Sequence, residues 1–215
     1  MITLTAFRSV PPFAQGLVRD LRVRWALEEI GQPYRQNLLG PGEQDTPAHR
    51  AIQPFGQVPA IQEGDLTLFE SGAILLHIAS KSDKLLPTNP VARERAIAWV
   101  FAALNSVEPH LENLASIDLF FADEEWAKLR RPGAEAFAKK RLDSVAHWLG
   151  DKHYLEGAAF TAGDLMMATV LRTVRDTDLV TGHPVLGPYL KRCEARPAFQ
   201  RALSAQMAVF AQNAA

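Results

Sequence analysis

The chain has a single cysteine, Cys193, among 215 residues. That scarcity excludes an intrachain disulfide, a Cys-x-x-Cys redox pair and a cysteine-rich zinc cluster. Any thiol chemistry must use a thiol brought by a ligand, or Cys193 itself. An excess of one charge is also missing: 23 Lys and Arg stand against 24 Asp and Glu, for a formal net charge of -1. Nothing in that balance favours nucleic acid or an anionic membrane surface, so neither is expected as a partner. No run of about 18 apolar residues is long enough for a membrane span. The opening MITLTAFRSVPPF has neither the basic nor the apolar stretch of a secretory signal, and a cytoplasmic protein is expected. The histidines lack metal-ligand spacing, so no metal is expected.

At 47% hydrophobic and 22% charged residues, the composition suits a globular protein of one large or two modest domains. Up to about residue 80, short β-rich runs alternate with helical patterns in the order β-α-β-α-β-β-α, an α/β arrangement whose first βαβ unit should be parallel. Strands are expected at 2–7, 34–39, 58–62 and 66–69. Helices are expected near 15–30 (stopped by Gly31), around 45–52, and from Ser71 to Ser80. KSDKLLPTNP (81–90) reads as a linker. From 91 to 215 nearly everything has helical period, which predicts an all-α bundle. Its first long helix meets Pro109, which should kink or end it. A second carries Phe137, Leu142, Val145 and Trp148 at helical spacing, and a third, DLMMATVLRTV, is apolar nearly all round and should be central.

Two places break local rules. In QVPAI, Pro59 sits inside a strand pattern without an N–H to give. It is an edge-strand proline, one at a bulge, or one preceded by a cis bond, which would leave the Val58 backbone free to pair with a bound peptide. A few residues on, Glu70, Ser71 and Gly72 stand where a strand ends and a helix begins. Either they cap that helix, or the helix N-terminus and the Ser71 hydroxyl hold a carboxylate while Glu70 meets an amine.

PFGQVPAI followed by LFESGAILLHI resembles the glutathione transferase family. LRVRWALEEIGQPY (21–34) is similar to that family's first helix, and FTAGDLMMATVL (160–171) to its C-terminal capping motif, with Thr161 as N-cap and Asp164 three residues on. The resemblance implies a thioredoxin-like domain over 1–80, a linker over 81–90 and an all-helical domain over 91–215. It implies glutathione as co-substrate and a homodimer. Val58, preceding a cis Pro59, would bind the cysteinyl backbone of glutathione, Glu70 and Ser71 its γ-glutamyl end, and Gln57 its glycyl end, with Gln53 a further candidate.

Family members activate the glutathione sulfur with a Tyr, Ser or Cys just after the first strand. Here the loop reads AFRSVPPFAQGLVRD, longer than usual and without Tyr or Cys. Ser9, its only hydroxyl, is the candidate thiolate donor, with the Arg8 guanidinium as competitor. Ser9 could equally be a plain turn residue. A small apolar electrophile would meet Pro12 and Phe13 from this loop and Ser106 and His110 from the first long helix, although His110 also reads as an ordinary surface residue. Three functions fit: transfer of the thiolate to an electrophile, glutathione binding without turnover, and glutathione-dependent peroxide reduction or isomerisation.

Overall fold

The computed structural model describes residues 1–213. They fall into two units: Met1–Leu86 with the segment from Arg196 onward, and Pro87–Ala195. The first unit is built on a four-stranded sheet, β1 (Ile2–Phe7), β2 (Tyr34–Leu39), β3 (Ala60–Glu63) and β4 (Leu66–Phe69), in the order β2-β1-β3-β4. β1 pairs parallel to β2, with Ile2 opposite Tyr34, and β3 runs antiparallel to both β1 and β4. Ile2, Leu4, Thr5 and Ala6 of the interior strand β1 are all buried, as expected for a strand covered on both faces. The edge strand β2 is polar, YRQNLL, and mostly exposed.

Helix α1 (Asp20–Ile30) follows β1, the single turn α2 (Pro47–Arg50) follows β2, and α3 (Ser71–Ala79) follows β4. α1 buries Leu21, Val23, Trp25, Ala26 and Leu27 and ends at Gly31, whose φ of 73° suits glycine. This is the expected β-α-β-α-β-β-α order. The first helix starts five residues later than its pattern suggested, because a 3₁₀ turn (Pro12–Ala14) and an irregular stretch precede it.

The second unit is helical: α4 (Pro90–Phe101), α5 (Glu108–Phe120), α6 (Glu125–Leu149), α7 (Ala162–Leu171), α8 (Asp178–Thr181) and α9 (Leu186–Glu194). α4 and α5 are joined by a π-helical segment, Ala102–Val107. Pro109 explains it: its nitrogen has no proton for the carbonyl four residues back, and its ring needs room there, so the chain widens. α6 runs through Pro132. Its inward face is Ala134, Ala138, Leu142, Val145 and Leu149, whereas Phe137 and Trp148, which share helical spacing with Leu142 and Val145, are half exposed. The smaller side chains take the interior because helices approach closely there. α7 is buried along its whole length.

The last helix, α10 (Pro197–Gln212), belongs to the first unit and not to the helical domain expected over 91–215. It packs on α1. The rings of Trp25 and Phe199 meet edge-on at 4.7 Å, Arg196 grips Glu29 through two bonds of 2.6 and 2.8 Å, and the Gln206 amide donates to buried Asp20 at 2.7 Å. Periodicity identifies this helix but does not say which layer its apolar face covers.

Candidate functional site

The stretch before β3 is held from below by buried polar side chains. β3 begins at Ala60, two residues later than the pattern suggested, and Val58 lies outside the ladder. The Val58–Pro59 peptide bond is cis. Among the described residues the Val58 N–H and C=O have no hydrogen-bond partner. Gln57, by contrast, is fixed on both sides: its N–H donates to Gln53 Oε1 at 3.1 Å, and its carbonyl accepts from His49 Nε2 at 2.8 Å. Gln53 Oε1 also accepts the Phe55 N–H at 2.7 Å. Gln53 is buried, so it shapes the loop rather than lining its surface. His49 is a residue that sequence reasoning missed. Since a carbonyl can only accept, Nε2 carries the proton, and buried Nδ1 is left without a partner. Thr46 Oγ1 caps the α2 turn by accepting the His49 N–H at 3.3 Å, which aims the ring.

The second half of the site is the junction of β4 and α3. Glu70 has φ 69° and ψ 115°, a conformation that non-glycine residues rarely adopt. Its carbonyl accepts the Ile74 N–H at 2.9 Å, so the α3 ladder starts here. No side chain caps this helix start; the capping alternative read from ESG is not what the fold uses. Ser71, only 5% exposed, receives a hydrogen bond of 3.0 Å from Arg22 Nη1 of α1. The outcome is a row of unfilled N–H groups at the positive end of a helix, with a serine hydroxyl beside them. α3 is anchored at its other end, where Glu63 holds His77 at 2.8 Å and also Lys81. Lys81 first and His77 second pull the Glu63 carboxyl below its ordinary value.

The loop after β1 is tied back to the end of β2. The Arg8 N–H donates to the Leu39 carbonyl at 2.8 Å and its guanidinium to the Leu38 carbonyl at 3.4 Å, which binds Arg8 to the end of β2. Ser9 is exposed and lines a groove of about 420 Å³ together with Val10, Pro11, Gly40 and Pro41. None of Gln53, Gln57, Val58, Glu70 and Ser71 lines that groove. Pro12 starts the 3₁₀ turn and Phe13 within it is 41% exposed. At the start of α1, burial pushes the Asp20 carboxyl above its ordinary value, against the pull of Arg24 and the Gln206 amide. In the second unit, Ser106 is exposed on the π-helical segment, and the His110 ring stacks on Phe137 at 5.9 Å and 14°. Among the described residues no His, Cys, Asp and Glu group is arranged to hold a metal, and no helix is long and apolar enough to cross a membrane.

Residues 15–80 match the family description "Glutathione S-transferase, N-terminal domain" and residues 132–197 match "Glutathione S-transferase, C-terminal domain". The glutathione S-transferase GstA of Escherichia coli O157:H7 is 34% identical over 163 residues, covering 73% of this chain and 77% of its own length. The chain belongs to the glutathione S-transferase family. Glutathione S-transferase 3 of Zea mays is 30% identical over 201 residues, 86% of this chain and 88% of the maize protein. Among solved structures, a glutathione transferase of Burkholderia graminis with two glutathione molecules bound per subunit superposes with a TM-score of 0.82. It is 26% identical and covers 95% of this chain and 88% of its own. A glutathione transferase family member from Pseudomonas fluorescens Pf-5, with two glutathione bound, has the same TM-score at 27% identity, covering 94% and 92%. The thioredoxin-like first unit and the helical second unit are thus the two domains of a glutathione S-transferase. The N-terminal match begins at Gln15, so Arg8 and Ser9 lie outside it.

Proposed function

We propose that this glutathione S-transferase binds glutathione in an extended form along Val58, Glu70 and Ser71 and presents its thiolate to a small apolar electrophile. The observation that carries this reading is the open start of α3, where buried Ser71 and unfilled N–H groups await an anion. They take the α-carboxylate of the γ-glutamyl end. The exposed Glu70 carboxylate takes the adjacent ammonium, and the unpaired Val58 backbone pairs with the cysteinyl residue. Gln57 reaches the glycyl end. Gln53 and His49 act at one remove, by fixing the Gln57 backbone.

A free thiol has a pKa of about 8.5 and is only a few per cent ionised at neutral pH. A donor to the sulfur raises that fraction, and the exposed Ser9 hydroxyl, which has no internal partner among the described residues, is the proposed donor. Arg8 is the weaker competitor because its guanidinium is engaged at β2. The thiolate then attacks the electrophilic carbon, a sulfur–carbon bond forms, and the leaving group departs with its electron pair. Catalysis is mainly positioning and thiolate stabilisation. In the first unit, Pro12 and Phe13 are the proposed electrophile contacts. The functional form is proposed to be a homodimer in the cytoplasm, with no resident metal.

Retention on immobilised glutathione, followed by conjugation to an aryl halide, tests the proposal. Retention with turnover that falls in Ser9→Ala supports it in full. Retention without turnover, unchanged in Ser9→Ala, assigns a binding role instead. Loss of neither retention nor turnover in Ser71→Ala overturns the glutathione site.

A further inference from the structure

Ser71 does not stand alone at the start of α3. Arg22 lies 49 residues earlier, in the first turn of α1, and is 4% exposed, yet its Nη1 ends 3.0 Å from the Ser71 hydroxyl oxygen. A guanidinium has five donors and no acceptor, so the polarity of this bond is not open to choice: Arg22 donates and Ser71 accepts. The hydroxyl's own proton is thereby turned away from Arg22, and among the described residues no acceptor receives it. A hydroxyl about nineteen-twentieths buried is left with its acceptor role filled and its donor role empty. Protein interiors rarely leave a buried donor in that state unless something else occupies it.

We infer that Arg22 is a positioning residue for the anion site, one that fixes the Ser71 hydroxyl as a dedicated hydrogen-bond donor to the α-carboxylate of the ligand's γ-glutamyl end. This rests on the proposed placement of glutathione at Ser71. Without Arg22 a serine hydroxyl rotates among three staggered positions and can offer either a lone pair or its proton. A lone pair facing a carboxylate repels it. With Arg22 in place the position facing the guanidinium is held by a lone pair, so the proton is confined to positions that point away from Arg22 and stays available to an anion. The hydrogen bond itself acts in the same direction, since a charged donor polarises the O–H bond of the hydroxyl it serves. Arginine stays protonated across the physiological range, so the device does not switch off with pH. Lysine could supply the charge but not the fixed fork geometry.

The test is a thermodynamic cycle read by calorimetric titration of glutathione into wild type, Ser71→Ala, Arg22→Met and the double variant. Ser71→Ala should weaken glutathione binding by about tenfold or more, and Arg22→Met by about tenfold. Because Arg22 works through Ser71, the double variant should bind no more weakly than Ser71→Ala alone. With glutathione whose γ-glutamyl α-carboxylate is converted to an amide, wild type and Arg22→Met should bind equally. If Ser71→Ala weakens binding while Arg22→Met does not, or if the two losses multiply, the role of Arg22 is overturned and the site stands. If Ser71→Ala binds glutathione like wild type, the placement of glutathione itself falls. Should Arg22→Met fail to give a cooperative melting curve, Arg22→Lys replaces it. That variant should lose about threefold in affinity through Ser71, again with no further loss in the Ser71→Ala background, and unchanged affinity overturns the inference.

Discussion

Two helix starts in this protein, those of α3 and α7, solve the same problem in opposite ways. At α7 the buried Asp164 carboxylate accepts the Thr161 N–H at 2.9 Å and the Thr161 hydroxyl at 3.0 Å. It also accepts the Leu155 N–H at 2.8 Å and the Tyr189 hydroxyl at 3.0 Å. Every lone-pair direction of that carboxylate is taken up inside the chain, and Thr161 completes a capping box. At α3 no side chain caps the helix, the preceding Glu70 is held at a φ of 69°, and a buried serine keeps an unfilled proton. One start is closed and serves the fold. The other is left open among the described residues, and glutathione is its proposed partner. The comparison teaches that a buried helix start can either satisfy its donors with the chain's own side chains or keep them available.

The comparison can be broken at either side. Asp164→Ala removes four hydrogen bonds from a fully buried carboxylate, and a loss of roughly 3–4 kcal/mol of unfolding free energy is expected by denaturant titration. The protein that remains folded should keep its glutathione affinity, because the closed start carries no ligand. Ser71→Asp closes the open start with a carboxylate of the chain's own. Glutathione affinity should drop about a hundredfold or more in a calorimetric titration, since two carboxylates cannot share the site. A merely tenfold loss, like that of Ser71→Ala, would show that the ligand's carboxylate is not there. Glu70→Gly relieves the backbone at φ 69°, and a gain of about 1 kcal/mol in thermal unfolding should accompany weaker glutathione binding. A variant both less stable and unchanged in binding would remove Glu70 from the argument.

The smallest effect concerns the far end of α3, where Glu63 takes over the anchoring that the open start does not provide. Its folded-state pKa is depressed below the ordinary 4.5, chiefly by Lys81 and then by His77. The stability it contributes is therefore present above its unfolded pKa and lost as pH falls through the depressed value. Glu63→Gln should flatten that acid limb of the stability profile. A difference under about 1 kcal/mol is expected by denaturant unfolding between pH 6 and 3, because the pair is partly solvated.

What could be read without coordinates was whatever is encoded over short spacing. The four strands, the end of α1 at Gly31, the capping box of Thr161 and Asp164, and the Val58-Pro59 and Glu70-Ser71 pair all lie within a few residues of their own signals. Two differences from expectation have a common cause. Phe137 and Trp148 share a helical spacing with Leu142 and Val145, but the closest approach of helices selected the alanines of that helix instead. α10 has a clear apolar face, yet nothing local says that it covers α1. Gln53, a glutathione-binding candidate by the family resemblance, is buried under that loop with its oxygen shared by two N–H groups, a placement no local spacing specifies. His49 gave a usable signal only in hindsight: it sits three residues after the cap Thr46 and eight before the carbonyl it supports.

By itself the sequence determined the order of elements and the closed start of α7, because dihedral preference, capping and periodicity act between neighbours in the chain. Only the tertiary structure decided that Arg22 stands behind Ser71, that Gln206 reaches Asp20 across 186 positions, and that Ser9 shares a groove with Gly40 and Pro41. Those outcomes depend on which buried donors and acceptors packing brings within about 3 Å of one another, a distance that no spacing along the chain specifies.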